Sequence, residues 1–291
     1  MSDSSDNGAG AILPALGTGS LSFDRVANDY DRTRGYPPEV ARTIAESIAR
    51  HGTLDAGAEA LEIGVGTGRI AIPLLRLGIN IVGADISVRM TEILRAKYEA
   101  ERKFHPYLPW GSLEITLADS SRLPYQDGRF DAVIAVHVLH LITDWRKALS
   151  EALRVVRPGG SLLLGQDMAH GSSIGHPFQD EWLAIVGELG YVPKRLGASR
   201  FADILEEARA RSLMNEEWDV VEWTGAQTAE EGFADIADRL WSLTWQTPEP
   251  IFSESIRRLE LWARARFGDH WTRPEPVRFS FRLAQVTQEK K

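Results

Sequence analysis

From about residue 37 to 168 the apolar positions along the chain switch repeatedly between two periods. "PPEVARTIAESIAR" sets Val40, Ile44 and Ile48 four apart behind two prolines, which marks an amphipathic helix and its start. "AEALEIGVG" is a short apolar run that ends in a glycine turn, and residues 68–77 return to helical spacing. "INIVGADIS" reads as a strand, and residues 87–103 as a long helix with Met90, Ile93, Leu94 and Lys97 at helical intervals. Leu113, Ile115 and Leu117 alternate in "SLEITLAD", while "FDAVIAVHVL" is almost continuously apolar, as a strand covered on both faces must be. A helix over 143–156, closed by "RPGG", and a strand at "SLLLGQD" complete the series. Such alternation predicts an α/β fold, a mostly parallel sheet with helices on both faces.

After Asp167 the rhythm changes. Residues 178–189, 199–213, 228–242 and 253–267 read as helices, the third with Phe233, Ile236, Ala237, Leu240 and Trp241 on one face. A strand near 218–223 interrupts them, and "PVRFSFRLAQVTQ" alternates as a closing strand. The expected organisation is a tail over 1–21, a core over 22–168, a mainly helical cap over 169–275 that contains one core strand, and a last strand and tail over 276–291. Seven of the nine tryptophans fall between 182 and 271. They build a helical core, line an apolar pocket, or do both.

Composition narrows the function classes. The 291 residues are 43% hydrophobic and 25% charged, ordinary for a globular protein, and no apolar run approaches the ~18 residues of a membrane span. The first 21 residues lack the basic start and apolar core of a signal peptide, and their Gly, Ser and Asp content reads as a disordered tail. No cysteine is present, which excludes disulfides, thiolate metal sites and a cysteine nucleophile and fits the cytoplasm. A net charge of -8 argues against nucleic acid as the main partner. The expected partner is a small molecule, with neither nucleic acid nor membrane, for a monomer or homodimer.

The chemistry concentrates in "LEIGVGTGRIA". A dinucleotide turn has a third Gly or Ala where this chain has Arg69, so Gly64, Gly66 and Gly68 run G-x-G-x-G and point away from NAD. An arginine at that place would crowd the packing of helix on strand. The sequence here resembles the class I S-adenosylmethionine-dependent methyltransferases, in particular the small-molecule type 11 group that includes the ubiquinone and menaquinone methyltransferases. Four blocks in series carry the resemblance: "LEIGVGTGRIA", "GADIS", "ADSSRLPYQDGRFDAVIAVHVLHLI" and "EALRVVRPGGSLLL". It covers roughly 22–168, about half the chain, and implies a Rossmann-like seven-stranded sheet, to which the helical segment adds a cap.

The resemblance implies S-adenosylmethionine as cofactor and a role for each matching residue. Gly64, Gly66 and Gly68 let the backbone approach its methionine part. Glu62 either helps hold the ammonium or ties down the glycine loop. Asp85, one strand over, accepts bonds from the ribose hydroxyls, and Ile86 packs on the adenine. Asp119 accepts from the adenine amino group and Ser120 offers a backbone N–H; alternatively "DSS" is a plain turn. In "FDRVANDYDRTRGYP", Tyr30 covers the methionine end and Arg34 meets its carboxylate.

A sulfonium methyl is already activated, so alignment and desolvation can carry most of its transfer, and a base is needed only for a protonated acceptor. His137, at the end of "FDAVIAV", is the candidate base, against the alternative of a hydrogen-bonded scaffold histidine. His140, His170 and His176 are weaker candidates, and Asp167 and Met168 are expected to line the same opening. No metal-ligand spacing accompanies the histidines, and "GQDMAHGSS" is not a nucleophile elbow. The expected activity is methyl transfer to a small, apolar or aromatic acceptor. Its rivals are a non-catalytic cofactor-binding scaffold and, disfavoured by Arg69, an NAD-dependent oxidoreductase. Asp85→Ala is expected to weaken cofactor binding by about 1–3 kcal/mol, the scale of leaving ribose hydroxyls unpaired; unchanged affinity by calorimetry would refute the ribose assignment.

Overall fold

The computed structural model describes residues 22–170 and 175–287, so the expected tails over 1–21 and 288–291 lie outside the described residues. After a short entry helix, α1 (Ala27–Arg34) and α2 (Pro38–Gly52) lead into the sheet. β1 (Glu59–Ile63), α3 (Ala71–Arg76), β2 (Asn80–Asp85), α4 (Val88–Phe104), β3 (Leu113–Leu117), β4 (Phe130–Val136), α5 (Trp145–Val155) and β5 (Val156–His170) alternate as the periodicity predicts. α6 (Gly175–Glu188), α7 (Phe201–Ala210), β6 (Met214–Gln227), α8 (Ala229–Ala237), α9 (Glu249–Phe267) and β7 (Glu275–Thr287) follow.

The seven strands form one sheet in the order β3-β2-β1-β4-β5-β7-β6. β1 to β5 are mutually parallel, and β7 runs antiparallel to both β5 and β6. Chain order reverses at β1, whose neighbours are β2 on one side and β4 on the other. The loops leaving β1 and β4 therefore diverge to opposite faces and open a crevice at the carboxyl ends of the strands, where doubly wound sheets bind ligands. This is the Rossmann-like α/β arrangement, with apolar layers on both faces. On one, Ile44, Ile48, Leu74, Leu75 and Leu94 pack against Ala132, Ile134 and Leu163; on the other, Leu149, Ala152 and Val155 pack against Val133, Leu162 and Leu164.

The region after β5 divides differently from the expected single cap. α7 buries Ile204, Leu205 and Ala208 in the layer that α5 makes on the sheet, so it belongs to the core. β6 is an edge strand of 14 residues, much longer than the expected 218–223, because all of it pairs with β7. α6, α8 and α9 form a separate apolar cluster around Trp182, Phe178, Leu259 and Trp271. The helix expected over 228–242 stops at Ala237, and Arg239 then takes a left-handed backbone (φ 55°). Leu240 and Trp241 consequently leave the helical stripe that their spacing suggested. They sit on a turn above the crevice, where they acquire another use.

Candidate active site

Building from the glycine turn upward, Gly64, Gly66 and Gly68 have φ of 67°, 54° and 83°, the left-handed region where a side chain is strained. A Cβ on Gly64 would lie 2.3 Å from Val138, and one on Gly68 2.3 Å from Leu94. A Cβ on Gly66 would meet only a backbone oxygen, 3.9 Å away, so this glycine keeps the crevice itself open. Asp85, at the end of β2, accepts from the Gly66 N–H at 2.8 Å and from the Ser87 N–H at 2.8 Å, and thereby ties β2 to the turn. Burial raises its pKa against these backbone bonds. Ser87 caps α4 by accepting from the Met90 N–H at 3.1 Å, the role its position suggests.

One cleft gathers most of the residues inferred from sequence. Tyr30, Gly64, Gly66, Asp85, Ile86, Asp119, Ser120 and His137 all line it, together with Phe23, Met90 and Val138. Asp119 also closes its own turn, accepting from the Ser121 N–H at 2.9 Å, so the turn and the cleft position coexist. Gly68 lies behind the cleft against Leu94, where it allows close packing. Glu62 lies beneath the turn, 3% exposed, and its Oε2 has no hydrogen-bond partner among the described residues. Desolvation pushes its pKa well up, Arg69 opposes that, and Asp85 adds to it. A buried carboxylate oxygen left unpaired beside a glycine cradle suits a ligand that brings a cation.

A second cavity of about 230 Å³ adjoins the cleft. Phe23, Tyr30, His137 and Leu141 line both and form the wall between them. Arg34 faces this second cavity, not the cleft, so its expected meeting with a cofactor carboxylate gains no support from where it lies. Of the tryptophans in the described residues, Trp241 alone lines the second cavity. Trp182, Trp262 and Trp271 serve the helical cluster, Trp218 stacks on His51, and Trp223 stacks on Phe279. Three of the seven thus build the helical core, with Trp241 packed against it, and two belong to the sheet.

Sequence reasoning missed the charged group beside this wall, on the side of the second cavity. Arg69, expected to crowd a helix, precedes α3 by two residues and sends its side chain sideways. It donates to Asp167 Oδ2 at 3.0 Å and to the Arg34 carbonyl at 2.9 Å, and lies over the Tyr36 ring at 4.5 Å. The Tyr36 hydroxyl donates to Asp167 Oδ1. Burial works to raise the Asp167 carboxyl, but His137, Arg69 and Tyr36 outweigh it and hold the group below the ordinary aspartate range. Asp167 was expected only to line the opening; its partners lie between α1 and α2, in the turn before α3 and just past β4, and no local pattern announces them.

His137 adopts φ 52°, a left-handed backbone for a residue with a Cβ, at the end of β4. Its Nε2 accepts from the Asp167 N–H at 2.5 Å and stands 3.1 Å from Asp167 Oδ2. The amide contact requires a lone pair on Nε2, and the carboxylate contact requires a proton there. Nδ1 has no hydrogen-bond partner among the described residues. His140 faces the second cavity, and desolvation, with His137, Arg195 and Arg34 nearby, pushes it down to about 3, so it is neutral near pH 7. His170 bonds Ser280 at 2.6 Å, away from both cavities; the His176 side chain lies outside the described residues.

The N-terminal segment is pinned over the cleft. Asp24 accepts from Ser87 Oγ at 2.6 Å and from the Arg89 N–H at 2.9 Å. Asp31 accepts from Thr67 Oγ1 at 2.6 Å and Lys97 Nζ at 2.9 Å, which holds α1 on the glycine turn. Phe23 packs edge-on against Trp245 at 4.7 Å and joins the lid to the helical cap.

Residues 61–164 match the type 11 family model described as "Methyltransferase domain". The chain is 28% identical over 246 residues to an uncharacterized methyltransferase of Mycobacterium tuberculosis, covering 82% of this chain and 84% of that one. It is 34% identical over 149 residues to the demethylmenaquinone methyltransferase of Beutenbergia cavernae, covering 50% and 55%. A solved structure of a putative methyltransferase from Bacillus halodurans superposes with a TM-score of 0.54 at 17% identity, over 83% and 97% of the two chains, and shares the fold.

Glu62 generates a paired expectation. A glutamate whose folded pKa is raised stabilises fully at low pH and loses that contribution as pH rises past its ordinary range toward the folded value. Glu62→Gln should therefore raise the melting temperature of the cofactor-free protein at pH 7–8 and flatten its pH dependence. The same variant should weaken S-adenosylhomocysteine binding by about 10–100-fold, the scale of one charged hydrogen bond. Thermal denaturation across pH, together with calorimetric titration, checks both.

Proposed function

We propose that this chain, which carries a class I S-adenosylmethionine-dependent methyltransferase domain, moves a methyl group onto a small acceptor held in the second cavity, with His137 as the base. One observation supports this most: the cofactor cleft and the second cavity share a wall that contains Tyr30 and His137. A scaffold that only retained the cofactor would have no use for an open cavity of about 230 Å³ against that wall. S-adenosylmethionine, when bound, supplies a methyl on a positively charged sulfur that leaves as a neutral thioether.

The chain's own residues supply the rest. The glycine turn and the carboxylates of Glu62, Asp85 and Asp119 hold the two ends of the cofactor. Tyr30 and Phe23 close over it and exclude water, which strengthens the interactions inside. Leu141 and His137, which line both spaces, would hold an acceptor beside the methyl that the cofactor would supply. For a protonated acceptor, His137 takes the proton at Nδ1 from the tautomer whose Nε2 carries the hydrogen and donates it to Asp167 Oδ2, in place of accepting from the Asp167 N–H. Asp167 Oδ2, 3.1 Å from Nε2, then stabilises the charged ring. Arg69 and Tyr36 keep Asp167 ionised and oriented for that task.

In thermal denaturation S-adenosylhomocysteine should raise the melting temperature and NAD should not; the reverse would overturn the cofactor reading. With an acceptor found by transfer of labelled methyl to a panel of small acids, phenols and amines, His137→Ala should lower kcat by about 10²–10⁴-fold at nearly constant S-adenosylhomocysteine affinity. Asp167→Asn should lower kcat while leaving the affinity for S-adenosylhomocysteine within a few-fold. Undiminished turnover in His137→Ala would mean that alignment alone does the chemistry.

A further inference from the structure

The second cavity has a charge that the composition of its surroundings does not predict. The protein carries a net charge of -8, and residues 170–275 hold more acid than base. Yet, among the described residues, the cavity is lined by Arg34, Arg69, Lys194 and Arg195, and by one carboxylate, Asp167. Asp167 and Arg69 neutralise each other at 3.0 Å. Arg34 feels the buried carboxylate of Asp235. Lys194 and Arg195 form no ion pair with any described residue.

The segment that bears these two cations is held in place. At its far end the Gly197 N–H donates to the His140 carbonyl at 3.1 Å, and the Ala198 N–H donates to the Leu139 carbonyl at 3.2 Å. A Cβ on Gly197 would sit 2.1 Å from the Leu139 carbonyl oxygen, so only glycine lets the segment lie against the turn that follows His137. At its near end the Tyr191 hydroxyl donates to the Gln246 carbonyl at 2.8 Å. Lys194, Arg195 and Arg34 are exposed to solvent, so they stay charged at little cost, and an anion in the cavity would meet all three. The remaining wall, with Leu196, Leu240, Trp241 and Leu243, is apolar.

We propose that Lys194 and Arg195 anchor an anionic group, a carboxylate or a phosphate monoester, on an acceptor whose apolar body lies against Leu240 and Trp241 and whose reacting atom faces His137. The anchor and the nucleophile are separate: the cations fix one end of the acceptor and the shared wall presents the other. This adds an anionic end to the expected apolar or aromatic acceptor, and it rests on the methyl-transfer reading above. The tertiary structure brings these two cations to one rim.

The test uses the full chain saturated with S-adenosylhomocysteine and three probes of similar shape: benzoate, phenyl phosphate and neutral benzamide. Calorimetry should show one of the anions binding at least about tenfold tighter than benzamide, with an affinity that falls as salt rises. Which anion prevails distinguishes carboxylate from phosphate. In the Lys194→Gln/Arg195→Gln variant the preference should fall to about equality, and Lys194→Arg should retain it. Equal binding of all three probes by the wild type, no measurable anion binding, or a preference that survives the double substitution would each overturn the proposal. Failure of S-adenosylhomocysteine itself to bind would instead defeat the cofactor reading.

Discussion

The ion pair between Arg69 and Asp167 is the constraint around which the crevice is organised. It joins the glycine turn after β1 to the carboxyl end of β5, across the strand that carries His137. Both side chains are largely out of water, at 9% and 22% exposure, and each has further partners: the Arg34 carbonyl and Tyr36 ring for Arg69, the Tyr36 hydroxyl and His137 for Asp167. Removing one member of such a pair typically costs about 3–5 kcal/mol, because the other is left buried and charged. Here it would also release the end of α1 and the imidazole of His137. Structural and chemical roles cannot be separated at this point of the fold.

In the same pair Arg69 occupies the place where the dinucleotide pattern has its third glycine, beside a cleft that stays open. A third glycine allows close contact of helix and strand; Arg69 gives up that contact, and α3 begins only at Ala71. What the arginine contributes is an electrostatic tie from the turn to the middle of the sheet. The lid is held by charge as well. Asp24 and Asp31 bind the N-terminal segment to α4 and the glycine turn, so the cleft is covered by a segment fastened at two places.

The crevice stores unfavourable features that the surrounding layers hold in place. His137 has a left-handed backbone, and Glu62 has an unpaired buried oxygen. Each is destabilising in isolation. The apolar layers on both faces of the sheet, with residues such as Leu61, Ile134 and Leu162 fully buried, supply the stability against which they stand. Their clustering at the carboxyl ends of the central strands is itself an argument for a binding site there.

The order of strands and helices from α2 to β5, the glycine turn and the positions of Asp85, Ile86, Asp119 and His137 were legible in sequence, because each depends on local periodicity or on a turn that a few consecutive residues dictate. Their convergence on one cleft follows from the reversal of strand order at β1. The partition of the later helices was not legible: α7 reads like its neighbours, and only packing assigns Ile204, Leu205 and Ala208 to the core. Nor were the Asp167 hub and the basic rim. Asp167 meets residues 30, 98 and 131 positions away in the chain, and Lys194 and Arg195 reach the cavity through a contact that Gly197 makes with residues nearly sixty positions earlier. Periodicity carries information about the near side of a helix or strand. Charge pairing across a crevice depends on where distant segments meet, and that is decided only when the sheet has closed its layers.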